Sequence, residues 1–288
     1  MPVNLDALGT TSSRAHLSWS SDDTLLYALG VGAGSEPGWD ELRFTTENSH
    51  GVDARVLPTF AIVAGARQRT DPAPSMDGVF GSVSATQIVH GECALTLHAP
   101  LASGQQASSD STVTGIYDTG QHAVVEQRSV LYAAASGVVL AESRNSVVAR
   151  GAGGFGGPRS PSSTWDVSGE PDHLISLSTR RDQALLYRLS GDHNPLHSDP
   201  WFARQAGMPA PILHGLCTFG FAGRALLHTL CDGEPDRFGH ISVRFSSPVI
   251  PGDVLDTELW LTTDGARFRT RVGERVVLDR GVFRFRSH

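Results

Sequence analysis

The spacing of apolar residues changes its period along this chain, and the changes divide it into elements. Alternation with a period of two predicts strands at residues 241–245, 253–262, 266–272 and 275–285. The run Arg267-Phe268-Arg269-Thr270-Arg271-Val272 sets apolar against charged faces, and Val276, Leu278, Val282 and Phe283 continue the pattern. Asp264-Gly265 between the second and third runs is a hairpin signal. Residues 111–117, 123–133 and 137–148 alternate in the same way in the first half. Two denser apolar stretches, around residues 57–66 and 213–230, read as helices, the second entered through Pro209-Ala210-Pro211. Short helices ending near Tyr27 and Tyr187 come first in each half. A helix followed by antiparallel strands predicts an α+β fold with a sheet wrapped round a central helix.

The same order occurs twice. Leu17-Ser18-Trp19-Ser20-Ser21-Asp22-Asp23-Thr24-Leu25-Leu26-Tyr27 aligns without gaps on Leu177-Ser178-Thr179-Arg180-Arg181-Asp182-Gln183-Ala184-Leu185-Leu186-Tyr187, with six identities in eleven positions. Leu97-His98-Ala99-Pro100-Leu101 and Ser246-Ser247-Pro248-Val249 each close an alternating run with proline. The chain therefore reads as two copies of one unit, residues 1–150 and 175–288, joined by residues 151–174. The joint opens on Gly151-Ala152-Gly153-Gly154-Phe155-Gly156-Gly157-Pro158, a linker by composition. No helix follows these glycines and no acidic residue stands where a dinucleotide fingerprint needs one.

Composition narrows the chemistry. The chain has 288 residues, 40% hydrophobic and 18% charged, enough to bury real cores. A net charge of −7 argues against a nucleic-acid platform. All 23 basic residues are arginine, so neither a Schiff-base lysine nor a P-loop lysine exists, and a phosphate-bearing ligand falls to Arg, backbone N–H groups or hydroxyls. Cys93, Cys217 and Cys231 are widely spaced and odd in number, which suits free thiols in a reducing compartment. The start lacks the basic and apolar regions of a signal peptide, and no stretch reaches the ~18 apolar residues of a membrane span. These features predict a soluble cytoplasmic protein with neither nucleic acid nor membrane as partner.

The candidate chemistry concentrates in Tyr187-Arg188-Leu189-Ser190-Gly191-Asp192-His193-Asn194-Pro195-Leu196-His197-Ser198-Asp199-Pro200. Pro195 has a fixed φ and pushes Asn194 into an extended conformation, so the loop can bend there and aim Asp192 and His197 at one point. Alone, Asp192 suits an Asx-turn and His197 a structural histidine. Together they hold different protonation states at neutral pH, so one can accept a proton while the other delivers one. His193 and His197 have metal-ligand spacing, but Pro195 between them breaks the helix face that such a pair needs, and no metal is expected. No Gly-x-Ser-x-Gly elbow is present, and Cys217 falls inside an apolar run where a thiol packs. In Ile212-Leu213-His214-Gly215-Leu216, Gly215 stands at a helix start, where an N–H has no internal partner and an oxyanion can approach. The competing reading gives Gly215, Gly220 and Gly223 to close packing of a sheet on the helix.

Tyr-x-Leu-Ser-Gly-Asp-x-Asn-Pro-Leu-His followed by Pro-Ile-Leu-His-Gly resembles the MaoC-like dehydratases, the (R)-specific enoyl-CoA hydratases of type 2; the likeness is dense over residues 187–220, and Pro248-Val249-Ile250-Pro251-Gly252-Asp253 fits as well. The two-copy layout resembles the double-hotdog 3-hydroxyacyl-thioester dehydratases. The resemblance implies a double hotdog fold with Asp192 and His197 as the catalytic dyad holding a water. It makes Asn194 the amide that orients them, and Gly215 the backbone N–H that binds the thioester oxygen. It implies reversible hydration of a trans-2-enoyl-CoA to the (R)-3-hydroxyacyl-CoA in fatty-acid metabolism, with no cofactor and coenzyme A present only as part of the substrate. A carrier-protein thioester is the other substrate form. After Tyr27 the first half reads Ala28-Leu29-Gly30-Val31-Gly32, without dyad residues, so residues 1–150 are expected to be a degenerate unit that accommodates the acyl chain. The rival readings are a hotdog acyl-CoA thioesterase and a non-catalytic acyl-thioester binder. A homodimer is expected.

Overall fold

The computed structural model describes residues 3–36, 38–68, 77–81, 83–161 and 164–287. Its first five strands are β1 (Ala15–Trp19), β2 (Ile88–Leu97), β3 (Gln105–Asp118), β4 (Ala123–Ala133) and β5 (Val139–Ala149). The other five are β6 (His173–Ser178), β7 (Phe238–Phe245), β8 (Val254–Thr262), β9 (Gly265–Val272) and β10 (Arg275–Phe285). The helices are α1 (Ser21–Gly30), α2 (Leu42–Thr45), α3 (Asp77–Phe80), α4 (Gln183–Tyr187), α5 (Pro200–Gln205) and α6 (Gly215–Cys231). The strands form one sheet in the order β1-β3-β4-β5-β2-β7-β10-β9-β8-β6.

Read outward from the β2–β7 seam, the two sides of the sheet are the same five-strand arrangement. β1 corresponds to β6, β2 to β7, β3 to β8, β4 to β9 and β5 to β10. The seam is antiparallel, with Glu92 opposite Arg244 and Thr96 opposite His240. This is the expected double hotdog. The repeated segments lie against each other near its axis: Tyr27 and Tyr187 are fully buried with ring centroids 6.1 Å apart. Gly30 allows the Tyr187 backbone to come close, since a Cβ there would stand 3.4 Å from the Tyr187 Cα.

The halves differ in their helices. In the second half α6 is buried at 13 of its 17 residues and packs on β6, β7, β8 and β10. In the first half the helix expected over residues 57–66 does not form. Pro58–Ile62 is a 3₁₀ turn, Ala66–Gln68 is another, and Gly65 between them takes a φ of +73°. A dense apolar run marks a buried segment, but it cannot specify that the segment is helical. The 3₁₀ turn lies on α6, and a Cβ at Gly223 would sit 2.6 Å from Thr59. A Cβ at Gly220 would sit 2.4 Å from Val31. Gly220 and Gly223 thus serve close packing, but against first-half loops rather than the sheet.

The joint is also more ordered than its composition predicts. Asp118 at the end of β3 accepts N–H bonds from Gly120 (2.7 Å), Gly154 (2.9 Å) and Gly156 (2.7 Å). Gly154 and Gly156 have φ of +83° and +80°, so these glycines form an anion-binding nest filled by the chain's own carboxylate. Further on, the Trp165 indole N–H donates to the Gly281 carbonyl at 3.1 Å.

A buried ionic cluster ties the halves together. Arg224 of α6 is 1% exposed and donates to Glu41 through Nε (2.9 Å) and Nη2 (2.7 Å), and to the Val31 carbonyl through Nη1 (2.9 Å). Glu41 also accepts from the Gly34 N–H at 2.6 Å and lies 3.0 Å from His228 Nε2. Burial alone would raise the Glu41 pKa, but its bonds to His228, Arg224 and Gly34 bring it down to about 2. Removing one partner of such a pair leaves a buried charge uncompensated, at a cost of roughly 3–5 kcal/mol. Glu41→Gln is therefore expected to lower unfolding stability by about that much in urea titrations. Because the folded-state pKa lies below the ordinary value of 4.5, the contribution is complete above that pH and fades as pH falls toward 2. The gap between wild type and variant should narrow over that window.

Candidate active site

The loop after α4 is shaped by its sequence one residue at a time. A 3₁₀ turn (Arg188–Ser190) ends at Gly191, whose φ of +118° is left-handed and whose α-hydrogens face Ala66, leaving no room for a side chain. The Asp192 carboxylate accepts the Asn194 N–H at 3.1 Å, the Asx-turn that its position suggested. Asn194, at φ −55° and ψ 122°, caps a second 3₁₀ turn (Pro195–His197), its Oδ1 accepting the Leu196 N–H at 3.0 Å, with Pro195 in the favoured first position. That turn ends on His197, which is 8% exposed.

The His197 ring is oriented by the backbone ahead of α6. Its Nδ1 lies 2.9 Å from the Ile212 carbonyl oxygen, which can only accept, so Nδ1 carries the proton and Nε2 keeps its lone pair. His214 donates from Nε2 to the backbone carbonyl of Asp192 at 3.2 Å. The two imidazoles stack with centroids 3.7 Å apart and planes 25° apart. Polar atoms of Asp192, His197 and His214 lie within 4.8 Å of one another. Burial lowers the pKa of His197, partly offset by the Ile212 carbonyl and Asp192. Burial and the neighbouring His197 ring lower that of His214 to about 4. His214 Nδ1 and the Tyr187 hydroxyl are buried without a hydrogen-bond partner among the described residues.

Gly215 opens α6, and the residue before it makes no side-chain capping bond. A Cβ at Gly215 would meet the Phe245 ring at 3.1 Å, so this position is held bare against β7 at the point where the helix amides open. Asp192, Asn194, His197 and Gly215 all line one cavity of about 370 Å³ on the helix side of the sheet, between the halves. The loop and the helix start singled out in the sequence are thus brought together. A larger groove of about 640 Å³, beside Trp165 on the other face of the sheet, holds none of these residues.

Two further residues of the cavity were not singled out in the sequence. His90 of β2 comes from the half without a dyad; its Nε2 lies 3.0 Å from Asn145 Oδ1 and its ring 4.8 Å from that of Phe245. Arg150 follows β5. The signal for His90 was a histidine beside Gly91 in an otherwise apolar run, where β2 is bulged against β5.

Asp192, His197 and His214 are also the group best placed to hold a metal among the described residues. Their geometry fits one poorly. Each ring has committed a nitrogen to a carbonyl, and near-parallel rings 3.7 Å apart send their remaining in-plane lone pairs side by side rather than to a common centre. His193 is exposed, outside this group. Cys217 is fully buried with Sγ 3.4 Å from the Gly30 carbonyl, and burial pushes its thiol well above the usual pKa, as packing requires.

Known proteins resemble the chain in both halves. Residues 165–280 match the model of the MaoC like domain, and residues 17–151 that of the MFE-2 hydratase 2 N-terminal domain. The 3-hydroxyacyl-thioester dehydratase Y of Mycobacterium tuberculosis is 43% identical, with 99% of each chain aligned. The peroxisomal enoyl-CoA hydratase 2 of Arabidopsis thaliana is 36% identical over 90% of this chain and 87% of its own. A crystal structure of a MaoC-like dehydratase from Phytophthora capsici superposes with a TM-score of 0.86 at 30% identity, covering 99% of this chain and 98% of the other.

The lowered histidine pKa values have a measurable consequence. In an NMR titration both rings are expected to be neutral at pH 7, with His214 reaching half-protonation near pH 4 and His197 below the ordinary 6.5. Below pH 6.5 the unfolded chain binds protons that these rings refuse, so their contribution to stability should fall as pH drops through that range. A His214 resonance titrating at or above 6.5 would contradict the geometry.

Proposed function

The chain belongs to the MaoC-like dehydratase family, and on that premise we propose that it is a hydro-lyase adding water reversibly to a trans-2-enoyl-CoA of fatty-acid metabolism, giving the (R)-3-hydroxyacyl-CoA. The observation that carries the reading is the convergence of a carboxylate, an oriented imidazole and a helix-start amide on one cavity.

The chemistry follows from the groups. An enoyl thioester is attacked at C3 only if the electron pair displaced toward the carbonyl is accommodated. The Gly215 N–H, at the positive end of α6, stabilises the resulting enolate oxygen, a type of contact worth roughly 10²–10³ in rate. Water held between Asp192 and His197 loses a proton to the dyad as its oxygen bonds to C3, and the dyad returns that proton to C2, so both groups end as they began. The anchored Nδ1–H leaves His197 Nε2 as the atom that takes or returns a proton. Both groups come from one loop with polar atoms within 4.8 Å of each other, so a double bond laid beside them is met from one side and the addition is syn. Asn194 supports the dyad through the turn it caps. The residues assign no step to a metal or redox group.

The acyl tail is proposed to be accommodated by the first half, the unit without a dyad. We further infer a homodimer in the cytoplasm. Three buried free cysteines support a reducing location, and among the described residues no helix is long and apolar enough to cross a membrane.

Asp192→Asn and His197→Ala are each expected to lower kcat by roughly 10²–10⁴ while the circular dichroism spectrum is unchanged. Crotonyl-CoA discriminates the rivals. Loss of the enoyl absorbance without free thiol means hydration, release of thiol means a thioesterase, and no turnover means a binding protein. Full activity in either variant would remove the dyad.

A further inference from the structure

Among the described residues, the cavity has one permanently charged cation in its wall, Arg150. Its side chain is exposed, and no ion pair holds it among the described residues. Its backbone, in contrast, is fixed. The Arg150 N–H donates to the Gln87 carbonyl at 3.0 Å, and the Gln87 side-chain amide donates to the Arg150 carbonyl at 3.1 Å. The next residue donates its N–H to His122 Nδ1 at 3.1 Å, and the chain then enters the nest round Asp118. A free guanidinium on an anchored stem is a receptor waiting for an anion rather than a solvated tail.

Its place along the cavity says which part of a ligand it meets. The reacting end lies where His90, Phe245 and Gly215 adjoin. In the β2–β5 register, Val147 stands opposite His90 and Ala149 opposite Ile88, so Arg150 is beside Gln87. Three residues of extended chain from His90 to Gln87 span about 10 Å. Arg150 therefore lies at the far end of the cavity wall from the dyad, on the exposed side. An acyl thioester whose carbonyl sits on Gly215 extends an uncharged pantetheine arm away from the dyad, and the first charged group along that arm is a phosphate ester. The chain has no lysine to meet it.

We propose that Arg150 recognises the phosphate end of the pantetheine arm and sets the affinity for the carrier without taking part in the chemistry; this rests on the enoyl-thioester reading above. Coenzyme A and the phosphopantetheine of a carrier protein share that phosphate, and only coenzyme A adds nucleotide phosphates.

The test compares wild type, Arg150→Gln and Arg150→Lys on the crotonyl thioesters of coenzyme A, phosphopantetheine and plain pantetheine. For the coenzyme A thioester, Arg150→Gln should raise KM roughly ten- to hundredfold with kcat within about twofold, and Arg150→Lys should recover part of the loss. The pantetheine thioester, which lacks phosphate, should be turned over equally by all three proteins. An equal penalty on the phosphopantetheine thioester supports a contact to the phosphate common to both carriers. A penalty on the coenzyme A thioester alone would place the contact on the nucleotide and overturn the assignment to the shared phosphate. Equal losses on the pantetheine thioester, or an unchanged KM for the coenzyme A thioester, would overturn the assignment while leaving the hydratase reading intact. A wild-type protein that hydrates none of the three would overturn that reading and this one with it.

Discussion

A helix that is apolar almost all round cannot be satisfied by one sheet, and α6 is such a helix. The strands of the second half cover one side of it. The other side is closed by loops of the first half, with Val31 on Gly220, Thr59 on Gly223, and Glu41 clamping Arg224. The first half is therefore indispensable to the second even though it brings no dyad. The helix, once fixed, places its N-terminus beside the β2–β7 seam, with Phe245 against Gly215. The location of the cavity follows from how α6 is buried.

The two copies have divided the work at equivalent positions. Tyr27 and Tyr187 still face each other at the axis, and the strand order around them is the same. Beyond Tyr187 the chain turns at Gly191 and presents Asp192 and His197. Beyond Tyr27 it turns at Val31, whose carbonyl accepts from Arg224, and runs on to Glu41. One copy of the loop carries Asp192 and His197, and the other supports the helix whose start lies beside them. This explains why the first copy keeps its fold without the dyad: its loop is committed to a buried cation.

What the sequence disclosed follows the range of the interactions involved. Strands with one solvated face show their alternation, and residues 123–133 and 275–285 coincide with β4 and β10. β2 lies at the centre of the sheet; its residues 92–97 keep the period and were read as an alternating run closed by proline, but the bulge near Gly91 breaks the pattern before them, and β1 and β6, short edge strands, were not marked out. The glycine-rich joint looked flexible because the carboxylate that organises it, Asp118, is more than thirty residues away. In the site, Asp192, Asn194, His197 and Gly215 were legible because each depends on a local turn or helix start. His90 and Arg150 were not, because only the β5–β2–β7 pairing brings them to the cavity. His214 was visible as a residue, but its role was not, since it depends on a ring stacked across the loop.

That stack bears on how the site keeps its shape. Two imidazoles at 3.7 Å would repel if both were charged, and burial keeps both neutral near pH 7. Each is held by a backbone carbonyl, that of Ile212 for His197 and that of Asp192 for His214. The bonds run in opposite directions between the same two segments: one ties the dyad histidine to the approach to α6, and the other ties the residue preceding Gly215 to the backbone of the dyad carboxylate. The carboxylate, the imidazole and the helix amide are thus cross-braced through main chain before any ligand arrives. Of the two ring nitrogens not bonded to a carbonyl, His214 Nδ1 is buried, so a proton taken up by His197 Nε2 would create a single cation beside Asp192 rather than a repelling pair. Main-chain anchoring is what lets a loop bent at one proline hold reactive groups as firmly as a helix would.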